Sequence, residues 1–465
     1  MSRSSTVDTI VLFGASGDLA HKMIFPALYR LEQRGLLDQR VIGVALEDWD
    51  DERFAQRVSQ SIGEGIDGVD ETPERRLLDR LTWVGGDYSK PETYSQLAST
   101  AQGESLHYLA IPPEMFETVV EGLHDAGLLE HSRILVEKPF ARDLPSARRL
   151  NEVIHRFLPE ERIHRIDHFL GKEPVENLLA FRYANPIFDA VWNRHHIDRI
   201  ELTMAEAFGV EGRGALYETL GVVRDVVQNH LLQVVCLLTM EAPVAPDADA
   251  LNDERVKVLR SIRTLSQDQV VYGQYEGYRG SPHVADDSTV PTYVALRLGI
   301  SGPRWFGVPV YVRAGKAMGT TATRAVVVFR KSPPLAFSGH PEQLPEANRL
   351  VFRIGPDYGV DLAVQTKVPG DGVELTTTPL KVNFDSIYQR LPLPYETVLH
   401  DALVGNRIVF TREDAVEEAW RIVDPILDPT EQPVVYETGS WGPEQASEVL
   451  VGPAAWRDAG FGNIE

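Results

Sequence analysis

The chain has 465 residues, a length that exceeds one ordinary domain and suits two or three. Its residues are 43% apolar and 25% charged, which is typical of a soluble globular enzyme. The formal charge of −22, without a basic tract, argues against nucleic acid or a membrane surface as a partner.

The first segment and the cysteine usage favour a cytoplasmic protein. The opening stretch MSRSSTVDT is short and polar and lacks the apolar region of a secretory signal. No apolar run is long enough to span a bilayer. Cys236 is the one cysteine, so no disulfide can form within the chain, and its apolar neighbours indicate a core position.

Strand and helix patterns alternate over the first 170 residues. Strands are predicted at Thr9–Phe13, Val41–Leu46, Leu81–Val84, Leu106–Ile111 and Ile134–Glu137. Helices are predicted between them, for example at Glu114–Ala126 and Leu144–Arg156. This alternation indicates a parallel, doubly wound α/β sheet, in which ligands bind beyond the carboxyl ends of the strands.

The stretch GASGDLAHK, Gly14 to Lys22, follows the first strand and precedes a helical segment. Gly14 and Gly17 leave room for a pyrophosphate, and Ala20 allows close packing of the helix on the strand. The helix N-terminus would then face the phosphates with its N–H groups. The spacing G-x-x-G-x-x-A differs from G-x-G-x-x-G, so an ordinary strand-to-helix turn is the alternative.

The end of the second strand carries Glu47 and Asp48. In dinucleotide enzymes, a carboxylate at this position accepts hydrogen bonds from the adenosine ribose of NAD and repels the 2′-phosphate of NADP. No Arg or Lys is adjacent. The alternative is that both carboxylates are solvated loop charges.

A second polar cluster runs from Arg165 to Pro174, with the sequence RIDHFLGKEP. A strand is predicted to end near Asp167, and Pro174 suits the first turn of a helix. An imidazole at His168 and an ammonium at Lys172, beside helix N–H groups, would suit a phosphate monoester. A surface ion-pair cluster is the alternative.

After about residue 199 the pattern changes to extended, β-branched segments joined by short polar turns. These strands are predicted at Arg199–Ala207, Thr292–Ile300, Val308–Val312, Ala325–Arg330, Leu350–Ile354, Val360–Lys367 and Val373–Asn383. Helices are predicted at Leu220–Met240, Tyr395–Val404 and Glu413–Ile422. We therefore expect an α/β dinucleotide-binding domain at 1–173 and an α+β domain with a large, mainly antiparallel sheet at 174–465.

The helix predicted at Leu220–Met240 is apolar nearly all round, so it should be buried, yet it holds several polar residues. Burying such groups is costly unless partners are supplied, so the helix should border a polar cavity. Asp225 and Asn229 share a face, whereas His230 is rotated from Asp225 by roughly 140° at about 100° per residue. A satisfied core histidine is the alternative for His230.

Lys138 and Lys316 each follow a predicted strand, and either could be a solvated cation. Metal-ligand spacings such as HExxH or paired CxxC are absent from the sequence, as is a GxSxG nucleophile elbow. We therefore expect no metal.

Together these segments resemble the glucose-6-phosphate dehydrogenase family over nearly the whole chain. The matching segments follow the family's order: GASGDLA, YLAIPP (Tyr108–Pro113), EKPF, RIDHFLGKE, EAFGVEGRG (Glu206–Gly214), RDVVQNHLLQ (Arg224–Gln233), RAGK (Arg313–Lys316), Tyr395–Leu403, Glu418–Val423 and GSWGP (Gly439–Pro443). The resemblance implies a Rossmann domain, then an α+β domain through whose sheet a homodimer or homotetramer assembles. It implies oxidation of the C1 hydroxyl of glucose 6-phosphate to 6-phosphoglucono-δ-lactone, with hydride transfer to NAD or NADP, in the pentose phosphate pathway.

The resemblance also assigns roles by position. His230 is expected to be the general base, and Asp167 the carboxylate that orients it. The substrate ligands implied are His168 and Lys172 on the phosphate, with Lys138, Glu206, Asp225 and Lys316 elsewhere on the sugar phosphate. The cofactor-binding residues implied are Gly14, Ser16, Gly17, Asp18, Leu19, Glu47, Tyr108 and Lys138.

Three positions depart from the family pattern. Leu46 stands where an Arg usually grips the 2′-phosphate of NADP, so Leu46 and Glu47 favour NAD. Phe169 stands where a Tyr usually helps hold the substrate phosphate, and Met23 where a Lys is frequent. The alternatives are a related dehydrogenase of another sugar or sugar phosphate, or a non-catalytic dinucleotide-binding regulator, for which a damaged His–Asp pair would be expected.

Overall fold

The computed structural model describes residues 6–333, 345–370, 374–387, 390–451 and 456. The chain divides into two compact units. The first comprises Met1–Lys172, Pro243–Asp253 and Pro392–Glu417, and the second comprises Glu173–Ala242, Glu254–Leu391 and Glu418–Glu465.

The strands of the described residues, numbered in chain order, form two sheets. They are β1 Thr9–Phe13, β2 Arg40–Ala45, β3 Leu81–Gly85, β4 Ser105–Leu109, β5 Arg133–Val136, β6 Ile163–Ile166, β7 Ile197–Ala205, β8 Val270–Tyr275, β9 Tyr293–Gly299, β10 Pro309–Gly315, β11 Ala322–Phe329, β12 Arg349–Gly355, β13 Gly359–Lys367, β14 Leu375–Asn383, β15 Phe410–Thr411 and β16 Val434–Tyr436.

The α-helices are numbered in the same way. They are α1 Phe25–Gln33, α2 Asp51–Gly65, α3 Glu71–Leu78, α4 Pro91–Thr100, α5 Phe116–Asp125, α6 Leu144–His155, α7 Glu173–Tyr183, α8 Pro186–Asp189, α9 Gly214–Val222, α10 Leu232–Thr239, α11 Ala248–Ser261, α12 Phe384–Ile387, α13 Pro394–Val404 and α14 Glu413–Val423. Two π-helices occur at Ala20–Ile24 and Val223–Leu231. Short 3₁₀ turns lie at Pro113–Met115, Glu160–Arg162, Gln267–Gln269, Tyr278–Gly280, Asp424–Ile426 and Glu444–Val449.

The first unit is built on a seven-stranded sheet of order β15-β6-β5-β4-β1-β2-β3. All neighbours pair in parallel except β15, which pairs antiparallel with β6. The chain reverses direction across the sheet between β1 and β4, so the carboxyl end of β1 is a topological switch point. The predicted strands of this sheet are confirmed, β1 with the same bounds and the others with ends shifted by at most two residues.

The central strands of the first sheet are buried on both faces, with mostly apolar side chains, because helices cover them. Every residue of β1 and β4 is buried. Their side chains join a core cluster that includes Val11, Phe13, Leu109 and Val120. Continuous apolar strands of this kind are typical of a parallel sheet packed between helix layers.

The second unit holds a nine-stranded sheet of order β14-β13-β12-β11-β7-β10-β9-β8-β16. Its pairs are antiparallel except β7 with β10 and β8 with β16. The large, mainly antiparallel sheet predicted for this region is therefore confirmed. Val373, at the start of one predicted strand, lies outside the described residues.

Among the described residues, none of the helices combines the length and the apolar character that a membrane span requires.

Candidate active site

The turn after β1 lies at the switch point of the first sheet. Gly14 has a φ of +79°, and a Cβ atom there would lie 2.2 Å from the carbonyl oxygen of Ala110, just beyond β4. A Cβ on Gly17 would lie 3.2 Å from the Gly14 carbonyl oxygen. The two glycines therefore allow the turn to pack closely on the backbone beyond β4 and on itself, while the room for a pyrophosphate stays a prediction.

Main-chain donors of this turn remain available for a ligand. Within the described part of the chain, the N–H groups of Gly14 and Ala15 bond to the Val44 carbonyl, and that of Gly17 bonds to the Gly14 carbonyl. None of these hydrogen bonds uses the N–H of Ser16, Asp18 or Leu19. Such N–H groups, at the start of a helix, form a site for phosphate oxygens.

Asp18 and Lys22 form an exposed ion pair with a Nζ–Oδ2 distance of 2.7 Å. The hydrogen bond from Lys22 lowers the pKa of the Asp18 carboxyl. Since both side chains are exposed, the pair adds little to stability. The helical segment predicted after this turn begins within it, as a π-helix at Ala20, and continues as α1.

The loop after β2 is held by an aromatic pair. The indole N–H of Trp83 donates to the Glu47 carbonyl at 3.0 Å. The Trp83 ring lies 4.8 Å from that of Trp49. Glu47 is exposed, and Leu46 is 70% exposed. The main chain at Glu47 is therefore fixed while its carboxylate stays open to a ligand.

Tyr108 lies on β4 with 0% of its surface exposed. Its hydroxyl donates to Glu137 at 2.6 Å, and the hydroxyl of Tyr395 donates to the same Oε1 at 3.1 Å. Burial raises the pKa of the Glu137 carboxyl, and the two hydroxyls and Lys138 oppose that change. Because the Tyr108 side chain is enclosed, a cofactor contact at this residue would fall to its backbone.

Lys138 directly follows Glu137 and is half-buried. Tyr395 also stacks on His168, with ring centroids 6.1 Å apart and an interplanar angle of 14°. The first unit therefore connects the loop after β5 to the loop after β6 through Tyr395. Both loops leave the carboxyl ends of neighbouring parallel strands, which explains why they meet.

The loop after β6 carries Asp167, His168 and Lys172. Asp167 is buried, and its Oδ1 accepts the N–H of Phe169 at 3.0 Å. The Lys172 ammonium lies 3.8 Å from the centre of the buried Phe169 ring. Phe169 thus packs against a cation through its aromatic face, which a phenyl ring does as well as a phenol ring. His168 and Lys172 both contact the Phe169 ring, and their binding of a phosphate stays a prediction.

In the second unit, Glu206 and Lys316 come together. They follow β7 and β10, which pair in parallel, and the Nζ–Oε2 distance is 2.5 Å. Lys316 is 9% exposed, and its ammonium lies 5.1 Å from the centre of the Tyr217 ring. Burial raises the pKa of the Tyr217 hydroxyl, with further contributions from Asp225 and Glu206.

Lys316 and Asp225 line one cavity of about 140 Å³, together with Tyr217 and Arg213. The second unit therefore brings Lys316 and Asp225 to one polar pocket and pairs Glu206 with Lys316, while the binding of substrate by these residues stays a prediction. A carboxylate and an ammonium at such a wall can accept and donate hydrogen bonds to neighbouring hydroxyls.

The structure corrects the single helix predicted over Leu220–Met240. The segment is α9 to Val222, then a π-helix over Val223–Leu231, then α10. In a π-helix the N–H of residue i+5 bonds to the carbonyl of residue i, as the Leu232 N–H does with Val227. Residues five apart thus lie one turn apart, so Asp225 and His230 share a face and the predicted separation of about 140° is wrong.

His230 is buried, and its backbone N–H bonds to the Asn229 side chain at 2.6 Å. Asp167 belongs to the first unit and His230 to the second, so their pairing stays a prediction. Single π-turns within α-helices occur frequently at functional sites, which agrees with a special role for this segment.

Sequence reasoning did not single out Glu137, Tyr395 and Trp83, which support the residues it did predict. Glu137 belongs to the EKPF segment, but its burial between two tyrosines has no signature in one sequence. Trp83 acts through a main-chain carbonyl, and such a bond depends on tertiary packing.

Family models match both parts of the chain. The model described as "Glucose-6-phosphate dehydrogenase, NAD binding domain" matches residues 11–177. The model described as "Glucose-6-phosphate dehydrogenase, C-terminal domain" matches residues 179–457.

Curated relatives span the same length. Glucose-6-phosphate 1-dehydrogenase 1 of Mycobacterium tuberculosis (strain ATCC 25618 / H37Rv) is 43% identical over 453 residues, covering 97% of this chain and 96% of the relative. Glucose-6-phosphate 1-dehydrogenase of Cyberlindnera jadinii is 36% identical over 473 residues, covering 95% of this chain and 94% of the relative.

Solved structures agree with the fold. The crystal structure of glucose-6-phosphate 1-dehydrogenase from Mycobacterium avium aligns with a TM-score of 0.89 and 44% identity, covering 97% of this chain and 99% of that chain. A structure described as glucose-6-phosphate dehydrogenase in complex with its substrate glucose-6-phosphate aligns with a TM-score of 0.90 and 34% identity, covering 96% and 98%.

Proposed function

Because this chain belongs to the glucose-6-phosphate dehydrogenase family, we propose that it oxidises the C1 hydroxyl of glucose 6-phosphate to 6-phosphoglucono-δ-lactone with NAD or NADP. The observation that carries this proposal is the family match over residues 11–177 and 179–457. The polar residues retained at the strand ends of both units support it.

The first unit fits a nicotinamide dinucleotide. The turn of Gly14, Ser16 and Gly17 leads into a helix start whose N–H groups suit phosphate oxygens, and it has no Cβ at its closest approach to Ala110. Asp18 and Leu19 continue this turn, Glu47 would hold the adenosine ribose, and Lys138 and the Tyr108 backbone would complete the site. When bound, the nicotinamide ring accepts the hydride that leaves C1.

We propose that His230 is the general base of the reaction. Its imidazole would take the proton of the C1 hydroxyl as the C1–H electron pair departs, and a C1 carbonyl results. Asp167 would fix the tautomer of that imidazole and stabilise the imidazolium. General-base catalysis of this kind contributes about 10² to 10⁴ in rate.

Charged residues of both units would hold the sugar phosphate. His168 and Lys172 would bind the phosphate, because an imidazolium and an ammonium donate charge-assisted hydrogen bonds to its oxygens. Lys138, Glu206, Asp225 and Lys316 would bind the sugar hydroxyls. The acidic net charge makes these local cations necessary for an anionic substrate.

We propose that NAD is the preferred cofactor. Glu47 would accept hydrogen bonds from the ribose hydroxyls and repel a 2′-phosphate, and Leu46 offers no cation for that phosphate. We further propose a dinucleotide-binding domain at 1–173, a substrate domain at 174–465 that also serves oligomerisation, and assembly as a homodimer or homotetramer.

Initial rates with glucose 6-phosphate plus NAD or NADP, followed at the absorbance of the reduced nicotinamide, test the activity and the preference. We expect His230→Asn to lower kcat by at least about 10², because the general base is lost. His195→Asn, at an exposed histidine of the same unit, is the matched control and should leave kcat unchanged.

Two outcomes would count against this proposal. No turnover from a folded wild-type protein with either dinucleotide would point to another sugar phosphate or to a non-catalytic regulator. Full activity of His230→Asn would remove the role of the imidazole while leaving the family assignment intact.

A further inference from the structure

Tyr88 lies in the loop after β3, and sequence reasoning gave it no role. Its hydroxyl accepts a hydrogen bond from the Gly14 N–H at 2.9 Å and donates one to the Val44 carbonyl at 3.0 Å. Gly14 is the first residue of the turn after β1, and Val44 is near the carboxyl end of β2. One hydroxyl thus connects the ends of two neighbouring parallel strands.

The rest of the loop holds the Tyr88 ring in place. The ring packs edge-on against Phe13, with centroids 5.6 Å apart. The hydroxyl of Tyr94 donates to the Tyr88 carbonyl at 2.7 Å. Burial raises the pKa of the Tyr88 hydroxyl to about 12, so it stays protonated and can donate to Val44 at neutral pH.

The two strand ends that Tyr88 connects carry the two halves of the proposed dinucleotide site. The turn of Gly14 and Gly17 would take the pyrophosphate, and Glu47, three residues after Val44, would take the ribose. The Glu47 charge acts on the Tyr88 hydroxyl and contributes to its raised pKa. The Gly14 N–H also bonds directly to the Val44 carbonyl at 2.9 Å, so the Tyr88 hydroxyl reinforces a contact that the backbone itself makes between the two halves.

We propose that Tyr88 is a positioning residue for the dinucleotide, which sets the turn after β1 against Glu47 at the end of β2. This inference rests on the proposed function only in that the ligand is a nicotinamide dinucleotide. It assigns Tyr88 no contact with the reacting atoms. Its loss should therefore weaken cofactor binding and leave the chemical step unchanged.

The test is Tyr88→Phe, which keeps the ring and its packing against Phe13 and removes both hydrogen bonds. We expect the Kd for NAD, measured by calorimetric titration without sugar phosphate, to rise about tenfold. The KM for NAD should rise in parallel, while kcat and the KM for glucose 6-phosphate stay within about twofold. Melting temperatures confirm that the variant is folded.

Tyr29→Phe is the matched control, because the Tyr29 hydroxyl also accepts a backbone N–H, that of Asp70, at 2.7 Å in the same unit. Its removal should lower the melting temperature without changing the Kd for NAD. If Tyr88→Phe binds NAD as the wild type does, or if both variants weaken binding equally, Tyr88 is merely structural. A wild type that binds NAD but does not oxidise glucose 6-phosphate refutes the proposed function alone, since the Kd comparison still stands.

Discussion

At the scale of single residues, cofactor preference is expected to depend on Leu46 and Glu47. Leu46 is 70% exposed, so a longer polar side chain can replace it without loss of packing. Trp83 holds the Glu47 carbonyl and not its carboxylate, so the loop keeps its path when that side chain changes. We expect Leu46→Arg with Glu47→Ser to raise the NADP to NAD ratio of kcat/KM by at least about tenfold, because a cation replaces a repulsive carboxylate beside the 2′-phosphate.

Asp48→Asn provides the comparison for this pair of changes. Asp48 is exposed and one residue further along, so the variant removes the same charge from the same loop. Initial rates with the two dinucleotides give the ratio for each protein. If Asp48→Asn changes the NADP to NAD ratio of kcat/KM as much as the double variant does, cofactor preference depends on the total charge of the loop and not on the position of Glu47.

The residues that sequence reasoning found and those it missed differ in a physical way. Asp167, His168, Lys172 and Lys316 are polar residues that follow predicted strands, where ligands often bind, so one sequence is enough to select them as candidates. Glu137 and Tyr395 are 258 residues apart in the chain, and their hydrogen bond forms only after folding. One sequence holds no signal for such a partnership.

At the scale of elements, the turn after β1 is the part most sensitive to added volume. At Gly14 an alanine would bring its Cβ to 2.2 Å from the Ala110 carbonyl oxygen and would also take an unfavourable φ of +79°. We expect Gly14→Ala to raise the Kd for NAD at least about tenfold, because the turn must shift away from β4. Calorimetric titration measures this change.

Gly35→Ala separates the clash from the backbone strain. Gly35 has a similar φ of +68°, but a Cβ there would have nothing within 4 Å. Gly35→Ala should therefore lower the free energy of unfolding by about 1 kcal/mol, the cost of the left-handed backbone conformation, and leave the Kd for NAD unchanged. Equal effects of the two variants on binding would mean that strain, and not the approach to Ala110, explains the Gly14 requirement.

One helical element, the π-helix at Val223–Leu231, was not predicted from the sequence. Strand β1 is a run of mostly apolar, β-branched residues, and β1 and β4 were predicted to within two residues. The π-helix at Val223–Leu231 was not, because its residues serve an α-helix equally well and the choice depends on how α9 and α10 are packed. The sequence therefore identified the polar residues of this helix but placed Asp225 and His230 on the wrong faces.

At the scale of the whole molecule, response to acid is expected to depend on buried imidazoles in the first sheet as well as on the net charge of −22. His107 on β4 and His164 on β6 are both 0% exposed. Burial lowers the pKa of His107 to about 4 and that of His164 to about 3. Their unfolded pKa is about 6.5, so the unfolded chain binds more protons than the folded one below that pH.

The free energy of unfolding therefore falls on acidification, from about pH 6.5 to about pH 4 for His107 and to about pH 3 for His164, whereas these groups have no effect at alkaline pH. For His107 the loss at pH 5 is on the order of 2 kcal/mol. His107→Gln removes the titrating group, so its melting temperature should lie closer to that of the wild type at pH 5 than at pH 8, by calorimetry. His131→Gln, at an exposed histidine, should show the same gap at both values. If the difference in melting temperature between His107→Gln and the wild type does not change with pH, the folded protein protonates this imidazole as readily as the unfolded chain does.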